Sequence, residues 1–327
     1  MRAVVIGASG FIGSHLVDGL LASGWQVRAL ARHLPGLLAA EALTDVGLTL
    51  QSLDIADAEA LQRQVSGADL VVHLASGSLP QSSNRDPQQD VRLNLLGGLN
   101  VLEACRLGGV GRLLVISSGG TVYGVPRQVP VAEEHPTDPT CSYGITKLAI
   151  EKYVALYQQL HGLDGLVLRV ANPYGPRQRL DAAQGVIPVF LGRALRGEPL
   201  EIWGDGSIVR DFLYISDLVA ALLAAAGYRG EERLFNLGSG LGLSLRDLVG
   251  LLEAELNRPL PVRYHPARGF DVPTNVLCIE RARRCLAWSP QVSLADGLNR
   301  LRLSLAGGSP GLPERLAGQA AASGFSD

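Results

Sequence analysis

The chain has 327 residues, 47% of them hydrophobic, enough for one large α/β domain or for two that share an interface. Its 29 basic and 31 acidic residues nearly cancel, which argues against broad nucleic-acid or anionic-membrane binding. Any anionic ligand must be held by a few placed Arg or Lys side chains. The cysteines, Cys105, Cys141, Cys278 and Cys285, form no C-x-x-C pair and have no His at zinc-ligand spacing, so they read as reduced core thiols and no metal site is expected. The apolar runs at 3–6 and 218–226 are too short for a signal-peptide core or a membrane span, and a soluble cytoplasmic protein is expected.

In chain order, short β-branched runs at 3–6, 26–30, 48–52, 70–73 and 113–117 predict buried strands. Helical patterns at 11–22, 34–43, 57–65 and 88–107 alternate with them. A helix at 143–161 then leads to a sixth strand at 166–169. This alternation predicts a doubly wound parallel sheet with helices on both faces. After Val170, Pro and Gly become frequent and the elements shorten, which predicts a smaller mixed α/β region. The expected division is a dinucleotide-binding domain over 1–171, with a return around 213–230, a substrate-binding region over 172–306, and a disordered tail over 307–327.

The run Gly7-Ala8-Ser9-Gly10-Phe11-Ile12-Gly13 follows the first strand and opens the first helix. Glycines there permit a tight turn, close approach of backbone to a pyrophosphate, and packing of helix on strand. The helix start offers free N–H groups and partial positive charge to phosphate. At the end of the second strand an acid would hold the adenosine 2′-hydroxyl, but the chain reads Ala31-Arg32-His33. A guanidinium at Arg32 suits a 2′-phosphate, so NADP is favoured over NAD unless Arg32 stacks on adenine or faces solvent. Asp54 and Ile55, past the third strand, are placed to touch adenine, and Asp54 serves equally as a helix cap.

Tyr143-Gly144-Ile145-Thr146-Lys147 places a phenol and an ammonium on one helix face. A free phenol titrates near pH 10 and is a poor base at neutral pH. A neighbouring ammonium and a positive nicotinamide ring both favour the phenolate, making Tyr143 an acid/base.

These motifs resemble the extended short-chain dehydrogenase/reductase family, and within it the nucleotide-sugar epimerases. The likeness runs from Met1 to about Leu305. It includes His73-Leu74-Ala75, Asn94, the run from Ser117 to Gly124, Asn172-Pro173-Tyr174-Gly175, Arg210-Asp211-Phe212 and Arg268-Gly269-Phe270-Asp271. The resemblance implies a Rossmann domain whose cofactor site also takes in Leu74, Ala75, Asn94 and Ser117. It implies that Tyr143 exchanges a proton with the sugar hydroxyl, tuned by Lys147. It implies that Asn172, Arg210 and Arg268 hold the substrate diphosphate, the two arginines otherwise being surface ion pairs with Asp211 and Asp271.

One position departs from the family. The Ser or Thr expected four residues before Tyr123 is Gly119, which leaves Ser118, the favoured choice, or Thr121 to supply a hydroxyl to the reacting oxygen. Related dehydratases and decarboxylases carry an acid just after that Ser or Thr, and Gly120 excludes one here.

The leading expectation is therefore a C4 epimerase of a nucleotide sugar passing through a 4-keto intermediate. An NADPH-dependent 4-ketoreductase of a nucleotide-linked deoxy sugar is the alternative. A non-catalytic dinucleotide sensor is disfavoured by retention of Tyr143 and Lys147. A homodimer is expected through the helices at 94–107 and 143–160, where Leu95, Leu99, Leu102 and Leu148 face either a partner or the core.

Overall fold

A computed structural model describes residues 1–34, 47–181, 185–269 and 271–306. The helix expected at 34–43, Leu34 apart, and the tail from 307 lie outside the described residues. The strands are β1 (Arg2–Ile6), β2 (Gln26–Ala31), β3 (Leu48–Ser52), β4 (Leu70–His73), β5 (Leu113–Ser118), β6 (Gly165–Val170), β7 (Asn172–Tyr174), β8 (Leu200–Trp203), β9 (Val209–Tyr214), β10 (Leu234–Leu237), β11 (Gly242–Ser244), β12 (Val262–His265) and β13 (Thr274–Asn275). The helices are α1 (Phe11–Ala22), α2 (Ala58–Val65), α3 (Pro80–Ser83), α4 (Pro87–Asp90), α5 (Gly97–Leu107), α6 (Ser142–His161), α7 (Val186–Leu195), α8 (Ile215–Gly227), α9 (Leu245–Leu256), α10 (Glu280–Leu286) and α11 (Leu294–Ala306).

Seven strands form one parallel sheet in the order β10-β6-β5-β4-β1-β2-β3. Its central strands are apolar on both faces because both are covered. In α1 the buried residues Gly13, Leu16, Val17 and Leu20 recur at helical spacing and lie against the sheet beside Leu218, Ala221 and Leu222 of α8. On the other face Leu61 and Val65 of α2, Val101 and Leu102 of α5, and Ile150 and Val154 of α6 make a second core. Each fully buried Leu of this kind contributes about 1.5–3 kcal/mol. Asp57 caps α2 by accepting a hydrogen bond from Ala60 N at 3.0 Å, and α6 ends on Gly162 in the left-handed conformation (φ +67°).

The segment 213–230 holds α8, which packs on the main sheet beside α1, and β10 beyond it joins that sheet as its seventh strand. In the second region β9 runs antiparallel to β11 and parallel to β7 and β13, while β8 pairs with β12. The helix expected at 88–107 is interrupted. A π-helical segment, Val91–Leu96, separates α4 from α5, and it lies where Asp90 and Asn94 turn buried polar side chains inward.

Strand order reverses about β1, whose other neighbour in the sheet is β4. The carboxyl ends of these two strands therefore open a crevice, the usual ligand position in such sheets. Both motifs of the sequence analysis converge on it.

Candidate active site

The glycine cradle is dictated by sterics. Gly7 has φ +92°, and a Cβ there would stand 2.8 Å from Ala75 N at the end of β4. A Cβ at Gly13 would stand 2.3 Å from Gly7 O. No acidic residue occupies the first turn of α1, and the first donor used within that helix is Ser14 N, to Gly10 O. The preceding amides thus face the crevice unpaired within the helix. A cleft of about 310 Å³ extends from this cradle, lined by Gly7, Ser9, Gly10, Arg32, Asp54, Ile55, Leu74 and Ala75 among others. A narrow backbone cradle, free amides and an adjoining cleft fit a dinucleotide, with pyrophosphate at the start of α1 and adenosine toward Arg32.

Arg32 is exposed at the cleft rim beyond Ala31. Asp54 also lines the cleft; the helix-capping role belongs to Asp57 instead. Ser117 and Asn94 are buried and their side chains are committed elsewhere. Ser117 Oγ donates to Glu151, while Asn94 binds Asp90 and Ser78 and accepts from Gly77 N at 2.8 Å.

Tyr143 and Lys147 stand beside the crevice, Tyr143 in contact with Ser76, which lines it. Lys147 Nζ donates to Ile116 O at 3.0 Å and lies 5.6 Å from the centre of the Tyr143 ring. Burial pushes the phenol up to about 12, a shift that its contact with Ser76 only partly opposes. The sequence led us to expect Lys147 to pull the phenol down. Instead desolvation sets the direction, and the charge of Asp90 raises the phenol further. Burial also lowers Lys147 to about 8, against the opposing charges of Asp90 and Glu151. His73, buried at the end of β4, is lowered to about 3, first by burial and then by Lys147, so its imidazole is neutral.

Gly119 has a spatial explanation that the sequence did not offer. A Cβ there would lie 2.5 Å from Leu277 Cδ1, and Asn275 Nδ2 donates to Gly119 O at 3.1 Å. The place of the family hydroxyl is filled by a residue more than a hundred positions away. Of the two substitutes, Ser118 is half-buried at the end of β5, whereas Thr121 Oγ1 is buried with no partner among the described residues. The Thr121 carbonyl packs 2.8 Å from the position a Cβ would take on Gly144, which brings this loop against the first turn of α6 beside Tyr143.

The diphosphate candidates are spread over the second region. Asn172 Nδ2 donates to Asp211 O at 2.9 Å, linking β7 to β9. Arg210 bonds the carbonyls of Val209 and Val272, and burial lowers its pKa. The Arg268 guanidinium lies 3.6 Å from the centre of the Trp203 ring. The ion-pair reading fails for Arg210: Asp211 is wholly buried and its carboxylate accepts from Ser239, Gly240 and Leu277. Sequence reasoning missed Ser76, Asp90, Asn275 and Leu277. Only Asp90 left a trace, being four residues before Asn94 in a helical pattern.

A parallel doubly wound sheet, a glycine cradle at its switch point and a Tyr-x-x-x-Lys pair beside the crevice define a dinucleotide-dependent enzyme of the short-chain dehydrogenase/reductase type. The model of the NAD dependent epimerase/dehydratase family matches residues 3–238, and the chain belongs to that family. It is 36% identical over 302 residues, covering 91% of this chain and 96% of the relative, to a UDP-glucose 4-epimerase of Mycolicibacterium smegmatis. Among solved structures it is similar to the UDP-glucose 4-epimerase of Thermotoga maritima with UDP-glucose, at TM-score 0.87 and 35% identity, covering 94% of this chain and 99% of that one. The Thermus thermophilus UDP-glucose 4-epimerase complex with NAD matches at TM-score 0.85 and 33% identity, covering 94% and 99%. Among the described residues no helix is long and apolar enough to cross a membrane.

Proposed function

We propose that the chain interconverts the C4 epimers of a nucleoside-diphosphate hexose, with UDP-hexoses as the substrate class. The observation that carries this reading is the Tyr143–Lys147 pair beside a cleft that begins at the glycine cradle, with Ser76 both lining that cleft and touching the Tyr143 phenol. When bound, the dinucleotide supplies a hydride acceptor and a positive ring beside the phenol. On the chain's own groups alone Tyr143 is protonated at neutral pH. Lys147, fixed on Ile116 O, is the positive group this helix contributes. Tyr143 takes the C4 hydroxyl proton as C4 loses hydride, and gives it back once the 4-keto sugar has turned and hydride returns to the other face. Thr121 is the better-placed hydroxyl for the reacting oxygen, since its Oγ1 is buried without a partner. Arg210, Arg268 and Asn172 take the diphosphate, the guanidiniums leaving their present neighbours to do so.

An epimerase consumes no cofactor over a cycle and works best with a dinucleotide that never leaves, which makes NAD the resident. NADP is the second reading, carried by the exposed Arg32 beyond Ala31. The test is to denature the purified protein, identify what it releases, and assay exchange of UDP-glucose with UDP-galactose. Stoichiometric NAD with exchange in both directions supports the proposal. Exchangeable NADP with one-way reduction of a 4-keto sugar would replace it with the ketoreductase.

The same reading includes a homodimer. Leu96, Leu107, Ile145, Leu156 and Leu160 of the π-helical segment, α5 and α6 are exposed, up to 62% for Leu160. Leu102 is core, Leu95 and Leu99 pack partly against its cluster and Leu148 against that of Val122 and Tyr123, so the outer residues form the contact. Sedimentation equilibrium of Leu160→Glu against the unaltered chain tests this; an unchanged mass excludes the face.

A further inference from the structure

Asp90 is 1% exposed, and the described residues place no cation within ion-pair distance of it. Its carboxylate accepts hydrogen bonds from donors on three elements. Oδ1 takes Ser78 Oγ, from the loop after β4, and Asn94 Nδ2 at 2.6 Å, from the π-helical segment. Oδ2 takes Ser142 Oγ at 2.7 Å and Thr146 Oγ1 at 3.1 Å, which flank Tyr143 and Lys147 on α6. Asn94 in turn receives Gly77 N at 2.8 Å and Ser76 Oγ at 3.3 Å, and Ser76 touches the Tyr143 phenol. Cys141 gives α6 no side-chain cap, so Ser83 Oγ and Asn84 Oδ1 accept the Tyr143 and Ser142 amides.

A buried carboxylate without a countercharge costs free energy, and apolar packing could join the same elements without it. The geometry points to Asp90 as a positioning residue that ties the Ser76–Ser78 loop to the first turns of α6 and sets the local potential at Tyr143 and Lys147. This rests on the proposed use of Tyr143 as the acid/base.

The other charged or titratable groups around the pair do not duplicate it. Glu151, one helical turn beyond Lys147, acts on Lys147 but not on Tyr143, and is itself paired with Arg169 at 2.6 Å and accepts from Ser117. His73 on β4 is held neutral, and burial raises the Cys141 thiol so that it stays protonated. Among the described residues Asp90 is the carboxylate facing the pair without an ion-pair partner, and its charge favours protonation of both Tyr143 and Lys147. Removing that charge moves both titrations acidward, whereas loss of structure alone lowers activity without moving either.

The test is Asp90→Asn, which keeps the shape and removes the charge. The Tyr143 titration is read, without substrate, as the tyrosinate absorbance difference between the holoenzyme and its Tyr143→Phe variant, in both backgrounds. The proposal expects the phenol to titrate lower by about one pH unit, and both limbs of the kcat profile to shift the same way with KM little changed. A folded Asp90→Asn protein whose phenol titration stays in place overturns it. If the phenol shifts but no UDP-sugar is turned over, the positioning role stands and the epimerase reading falls. Should Asp90→Asn fail to fold, Ser78→Ala and Ser142→Ala carry the test. Each leaves the carboxylate charged with one donor fewer, so the phenol titrates higher; an unchanged or lower titration overturns the proposal.

Discussion

The cofactor half and the substrate half of the crevice are built differently. Around Gly7 and Gly13 the backbone itself is the binding surface, and any added side chain would collide with Ala75 N or Gly7 O. Across the crevice the expected ligand contacts are long side chains that already have other partners, Arg210 on the carbonyls of Val209 and Val272 and Arg268 on Trp203. On the proposed reading the dinucleotide side is preformed, whereas the sugar-nucleotide side exchanges internal contacts for substrate contacts. Affinity for the second ligand is thus reduced by the cost of that exchange.

The strongest way to separate the two halves is Tyr143→Phe. It removes the acid/base without touching the cradle, so kcat falls by about 10²–10⁴-fold while dinucleotide retention is unchanged. Turnover at the original rate would show that the pair does no proton chemistry. Arg210→Ala acts from the other side. Losing one charge-assisted contact to a diphosphate raises KM by roughly 10–100-fold, with a smaller change in kcat. A KM left in place would mean that Arg210 only braces β9 against Val272.

What was legible in the sequence follows the same division. A parallel sheet buried on both faces writes itself as β-branched runs, and a glycine cradle writes itself as fixed spacing, so β1, α1 and their junction could be read residue by residue. So could the i, i+4 pair on α6. The rest depends on contacts between distant segments. That Leu277 fills the space beside Gly119, or that Asp90 gathers donors from Ser78, Asn94, Ser142 and Thr146, has no local signature. Nor does the π-helical segment, because its residues keep an ordinary helical pattern while their hydrogen bonding changes.

Lys147 gives a pH test of the cofactor-side machinery. Burial lowers it to about 8, so activity that needs the ammonium falls about tenfold per unit once pH rises past that value. The sign for stability is opposite. Between about 8 and the ordinary lysine value the unfolded chain binds more protons at this group than the folded one, so its contribution to unfolding free energy rises with pH. A kcat that declines above pH 8 while the melting temperature does not decline with it would separate titration from unfolding. A parallel fall in both would assign the loss to the fold.

The smallest effect is expected where the two halves meet. Gly119→Ser restores the hydroxyl of the family pattern, but its Cβ would press on Leu277, whose Cδ1 stands 2.5 Å away. Overpacking of this kind costs about 1–3 kcal/mol, read as a lower denaturation midpoint. Leu277→Ala alone opens a cavity in the small cluster with Val122, Tyr123 and Val131 and also destabilises. Together the two changes relieve each other, so the double variant is more stable than the sum of the single losses, with a coupling of about 0.5–3 kcal/mol. Strict additivity would show that Leu277 does not hold the place of the missing side chain, and the departure at Gly119 would then lie in the backbone of the loop rather than in the residue packed against it.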